Sequence, residues 1–120
     1  MNNKPNILYI FTDQQFADAL SCAGNTDLET PAIDSIAQRG IRFTNTYCTN
    51  PLCTPSRASM FTGMMPHEIG INGNNVAIPR DMKTPELGHI MRSAGYDCAY
   101  GGKWHVPEMD IDEGHGFEKI

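Results

Sequence analysis

No stretch of this 120-residue chain approaches the roughly twenty consecutive apolar residues of a membrane-spanning helix, so nothing in it reads as a membrane segment. Basic clusters are equally scarce. Lys and Arg total 9 against 14 Asp and Glu, a net charge of −5, and no Lys/Arg run is present to meet the phosphates of a nucleic acid. The four cysteines, at 22, 48, 53 and 98, contain no Cys-x-x-Cys pair, so the common zinc spacing is missing. They are read as reduced thiols because nothing marks a secreted chain, although four cysteines allow three pairings. Internal repeats and low-complexity segments are also lacking. The apolar run after Asn6 is too short for a signal peptide and meets Asp13 rather than a small-residue cleavage site. That predicts a cytoplasmic protein as written, with a periplasmic or secreted one left open if a leader has been trimmed.

What is present is ordinary globular material, 40% hydrophobic and 19% charged, enough for one small core. Residues 7–11 are almost continuously apolar, the pattern of a strand buried on both faces in a parallel sheet. The strand ends at Thr12-Asp13-Gln14-Gln15, the polar edge where open α/β sheets bind ligands. Three Thr-Pro pairs then announce helices, with Thr as N-cap and Pro as the first helical residue. Thr30-Pro31 opens one with an apolar face of Ile33, Ile36 and Ala37, closed by Gly40. Thr54-Pro55 opens a short one that ends near Gly63. Thr84-Pro85 opens the third, with Leu87, Ile90, Met91 and Ala94 at helical spacing and Gly95 as its stop. Strands are expected at Ile41–Thr46 and Tyr96–Gly101, and a long loop over 64–83. Alternating strands and helices predict an α/β fold, a mostly parallel sheet flanked by helices.

The segment with most chemistry is Cys53-Thr54-Pro55-Ser56-Arg57. Cys53 is placed just before a helix N-terminus, where N–H groups and the dipole favour an anion, and Arg57 follows within about one turn. A thiol so placed is reactive. The bland reading stands beside it with equal weight: a small buried residue ahead of a capped helix. Asp13, at a strand end, is a candidate ligand for a hard cation such as Ca²⁺; taken alone it reads as a loop or helix cap. Lys103-Trp104-His105, taken alone, reads as a polar loop. His89 reads as a solvated or packing residue, His115 in its glycine-rich tail as solvated, and Met60, Met64 and Met65 as core or pocket lining.

Cys-x-Pro-Ser-Arg resembles the signature of the type I sulfatases, and the resemblance continues through Ala58-Ser59-Met60-Phe61-Thr62-Gly63. Asn6–Asp13 resembles that family's first strand and metal ligands. Thr30–Asn45 resembles its first long helix and second strand, and Ala94-Gly95-Tyr96 with Gly102-Lys103-Trp104-His105 its later strand and substrate-contacting turn. The resemblance implies an alkaline-phosphatase-like fold, with residues 1–120 as the N-terminal portion of a longer catalytic domain. It implies hydrolysis of small-molecule or glycan sulfate esters. The reacting group would be a formylglycine made from Cys53 by a maturation enzyme: one hydroxyl of its hydrate attacks sulfur, and the other loses its proton as sulfate is expelled. Arg57 and Lys103 would supply positive charge and His105 would move a proton. Asp13, Gln14 and the modified Cys53 would contribute to one divalent cation, expected to be calcium. Gln14 stands where the family commonly has a second Asp, which removes one negative charge. Two other readings stay open: a phosphonate or phosphate ester hydrolase of the same superfamily, and a non-catalytic module with unmodified Cys53. The 120 residues alone are expected to be inactive, having too few cation ligands.

Overall fold

The computed structural model describes residues 4–76, 86–106 and 115–120. The chain divides into two compact units, residues 1–46 and 47–120.

In the first unit, helix α1 spans Pro31–Arg39 with Thr30 as N-cap and Pro31 at its first position, as the Thr-Pro pair predicts. Gly40 follows it with φ −126° and donates its N–H to Ile36 O, so no left-handed turn is needed there. The N-terminal end of α1 is fastened to a short 3-10 turn, Ser21–Ala23, by a polar cluster. Ser21 Oγ donates to Asp34 Oδ2 at 2.6 Å, and Cys22 N–H and Thr30 Oγ1 donate to Asp34 Oδ1 at 3.0 and 2.9 Å. The hydrogen bond from Ser21, assisted by those from Thr30 and Cys22, holds the Asp34 carboxyl below the usual carboxylate range. Burial and then the adjacent Asp34 carboxylate push the Cys22 thiol up.

A pH dependence follows from that cluster. Because the folded-state value is the depressed one, the stabilisation is present above the unfolded carboxylate value of about 4 and is lost as pH falls through the folded value. The hydrogen-exchange protection factors of the Ser21 and Cys22 amides should therefore fall in that acid range. In an Asp34→Asn variant they should be low and flat with pH. A wild-type protection factor that does not change with acid would contradict this.

The strands expected at 7–11 and 41–46 are not formed. Their apolar side chains are exposed, Leu8 at 84% and Ile41 at 82%. A parallel strand takes its backbone hydrogen bonds from neighbouring strands, and among the described residues of this unit none supplies them.

The second unit carries α2 (Cys53–Thr62), α3 (Leu87–Ser93) and two short strands, β1 (Ala99–Tyr100) and β2 (Glu118–Lys119). The strands pair in parallel, Ala99 opposite Glu118 and Tyr100 opposite Lys119. β1 is the inner part of the strand expected over Tyr96–Gly101. α2 ends at Gly63, whose φ of 70° is the left-handed turn that glycine accepts freely. Its inner face, with Ala58 and Phe61, packs into an aromatic cluster. Phe61 stacks on Trp104 with ring centroids 4.5 Å apart, and both Tyr100 and Phe117 meet it edge-on. Ile69, Ile71 and Val106 are buried with it. The two isoleucines come from residues 64–76, which form turns and anchor by burial.

Along the apolar stripe of α3, Leu87 and Met91 are half-buried while Ile90 is 52% exposed. The buried residue of α3 is Gly88, where an added Cβ would lie 2.1 Å from the His115 carbonyl, so β2's approach takes the space. Thr84-Pro85 lies outside the described residues. His115 is buried rather than solvated. Its ring tilts against Trp104 at 5.4 Å and its Nδ1 lies 2.6 Å from Glu86 Oε2.

Candidate active site

Helix α2 begins two residues earlier than its Thr-Pro pair suggests. Leu52 is the N-cap and Cys53 the first helical residue. A helix start leaves four N–H groups without partners inside the helix, here those of residues 52 to 55. Leu52 N–H donates to Asn50 Oδ1 and Thr54 N–H to Asn74 Oδ1, both at 3.0 Å, while Pro55 has none. Asn74 thus reaches in from twenty residues away to do what an N-cap side chain ordinarily does. That leaves the Cys53 N–H and the helix dipole for an anion beside Cys53, fewer donors than the motif alone suggests.

Lys103 makes up the difference. Its Nζ lies 3.6 Å from Cys53 Sγ, fifty residues apart in sequence. The ammonium and the half-buried sulfur meet at the start of α2, and all four cysteines, Cys53 among them, are free thiols.

Arg57 sits one turn along α2 and is 5% exposed. Its guanidinium Nη1 donates to the Lys103 carbonyl and, at 3.4 Å, to the Tyr100 hydroxyl. Tyr100 Oη donates to the same carbonyl at 2.6 Å. Burial is the main reason the Tyr100 hydroxyl is pushed up, which keeps its proton available for that bond. So one side of Arg57 is spent on holding the backbone of the 103–105 turn. A buried cation needs such partners, and here the partner is the carbonyl of the residue whose ammonium meets Cys53.

His105 completes the turn with a left-handed backbone, φ 51°. Such a conformation is costly for a residue with a Cβ and persists only where surroundings enforce it. Its carbonyl accepts from Thr54 Oγ1 at 3.1 Å. Its ring Nδ1 is buried without a hydrogen-bond partner among the described residues.

The second unit therefore brings Cys53, Arg57, Lys103 and His105 together, with Thr54, Tyr100 and Asn74 holding them. Tyr100 and Asn74 were not picked out from sequence, and Thr54 was read there only as an N-cap. The signal for Thr54 was in view, since it stands in the variable place of Cys-x-Pro-Ser-Arg. Asp13 and Gln14, adjacent and exposed, lie in the first unit. They are oxygen donors of the kind calcium takes, yet the described residues gather no cluster of three or more His, Cys, Asp or Glu able to hold a metal. By themselves these residues do not make a calcium site.

Known proteins share this arrangement of sequence and fold. The sulfatase family profile matches residues 5–120. An N-acetylglucosamine-6-O-sulfatase of Bacteroides thetaiotaomicron is 41% identical over 116 residues, which cover 96% of this chain and 20% of that protein. The uncharacterized sulfatase YidJ of Escherichia coli is 40% identical over 107 residues, 89% of this chain and 21% of that one. Among solved structures, the phosphonate monoester hydrolase of Agrobacterium radiobacter superposes with a TM-score of 0.81 at 27% identity, over 97% of this chain and 25% of that chain. The chain thus spans about a fifth of the length of the curated relatives it matches. With a family profile running along nearly its whole length, and an α/β fold shared with alkaline-phosphatase-like hydrolases, the chain belongs to the sulfatase family.

Proposed function

We propose that the complete protein hydrolyses sulfate esters of sugars or small molecules, using a formylglycine derived from Cys53. The observation that carries this is the meeting of Lys103 Nζ and Cys53 Sγ at the start of α2, inside a chain of this family. When present, formylglycine supplies as its hydrate one hydroxyl to attack sulfur and a second whose deprotonation lets sulfate go. The thiol sulfur marks where such an oxygen would stand.

The chain's own residues then have separable tasks. Lys103 places a positive charge beside the reacting atom, where negative charge develops on the sulfuryl oxygens, and a charge already in place stabilises it without reorganisation at the moment of reaction. His105 holds or moves the proton of the attacking hydroxyl. Arg57 fixes the Lys103 backbone and, through it, the direction of approach of the ammonium. A divalent cation belongs to the proposal as well, with Asp13 and Gln14 offering two oxygens of the six to eight that calcium takes, so most ligands must come from elsewhere in the complete protein.

Relatives support a sugar or small-molecule ester, since they include an N-acetylgalactosamine-6-O-sulfatase and a choline-sulfatase. One observation favours a second reading, phosphonate monoester hydrolysis: the 0.81 TM-score to an enzyme of that kind. Two measurements test the proposal. The tryptic peptide containing Cys53, from a host with a maturation system, should be lighter than the thiol form and reactive to hydrazides. An aryl sulfate should be turned over faster than an aryl phosphonate. An intact, alkylatable thiol in fully active protein would remove the mechanism, and an intact thiol in inactive protein would suit a non-catalytic module. A preference for the phosphonate would favour the second reading.

A further inference from the structure

Thr54 is fully buried, and both its backbone and its side chain are committed to distant loops. Its N–H donates to Asn74 Oδ1 and its hydroxyl to the His105 carbonyl, 51 residues away in sequence. His105 is held at a φ of 51°, and no hydrogen bond to its ring Nδ1 shares in holding it among the described residues. The carbonyl bond from Thr54 is a direct polar tie between the His105 backbone and the helix that bears Cys53. The parallel tie, from Arg57 and Tyr100, is made two residues earlier at Lys103.

We propose that Thr54 is a positioning residue for the reaction: its hydroxyl fixes His105 against the first turn of α2, and so fixes the imidazole relative to the group made from Cys53. The inference rests on the hydrolytic reading above. On it, the place after the cysteine in Cys-x-Pro-Ser-Arg requires a hydroxyl in this protein. A buried carbonyl left without its donor carries a desolvation cost, and a left-handed residue without its tether relaxes toward an ordinary backbone conformation. The result is a displaced imidazole, and displacements of about an ångström at a reacting group cost up to about a hundredfold in rate.

The test uses the complete protein, with rates expressed per formylglycine found by mass spectrometry, so that impaired maturation is not mistaken for impaired catalysis. Thr54→Val keeps branching and volume and removes the hydroxyl. It is expected to lower kcat on an aryl sulfate roughly tenfold or more, with KM changed by less than about twofold, because Lys103 and its own tether remain. Thr54→Ser restores the donor and should recover most of the loss. A crystal structure of Thr54→Val should show residue 105 out of the left-handed region. If that variant does not fold, Thr54→Ala against Thr54→Ser makes the same comparison. Unchanged kcat in matured Thr54→Val, or a serine variant as impaired as valine, would overturn the proposal while leaving the enzyme reading intact. A wild-type protein with no formylglycine and no ester hydrolysis would instead remove that reading, and this inference with it.

Discussion

Replacing Cys53 by alanine is expected to reduce sulfate ester hydrolysis by the complete protein to background, a loss of about 10⁴-fold or more in kcat, the scale on which enzymes lose an essential nucleophile. Alanine cannot become an aldehyde, so no nucleophilic oxygen can be built on that carbon. The substitution should be nearly silent for folding. Cys53 is the first residue of α2, only half-buried, and its recorded side-chain partner is the Lys103 ammonium. The capping of the helix is carried by Asn50 and Asn74, not by Cys53. Kinetics on an aryl sulfate together with a thermal melt check both halves. Residual turnover within tenfold of wild type would move the nucleophile to another residue.

Arg57→Ala and Lys103→Ala are expected to part company. Each should lower kcat/KM by roughly 10²-fold or more, as loss of a preorganised charge contact does. Only Arg57→Ala should also lower the melting temperature noticeably. Arg57 is buried, and its removal takes a partner from the Tyr100 hydroxyl and one of two donors from the Lys103 carbonyl. Losing a buried partner of this kind costs on the order of 1–3 kcal/mol. Lys103 is exposed and its ammonium reaches outward to Cys53, so its truncation should spare stability. Equal melting temperatures for the two variants would show that the guanidinium does not hold the turn. Near-normal turnover in properly matured Lys103→Ala would remove its role in charge stabilisation.

Amino-acid order encodes what local rules can reach. A helix is closed by bonds four residues apart, so Thr30-Pro31 located the start of α1, and Gly63 the end of α2, without knowledge of the rest. The Cys53–Arg57 run likewise carried the family, because its meaning lies in which residues stand side by side. The remainder depends on contacts between distant segments. The expected strands at 7–11 and 41–46 are apolar enough to be strands, but a strand forms only where a neighbour accepts its hydrogen bonds, and sequence pattern is silent about neighbours. The first helical residue of α2 shifted to Cys53 because Asn74, rather than Thr54, caps it. Arg57 turned inward to the Lys103 carbonyl, 46 residues on, and Thr54 to that of His105. His115, in a glycine-rich segment that reads as solvated, was buried because Trp104 offers it a face and Glu86 a partner. All of these are contacts to residues outside the local segment, and one of the acceptors, the left-handed His105, owes its geometry to the tether itself. Local propensity identified the groups able to do chemistry; long-range hydrogen bonds to buried carbonyls determined where those groups point.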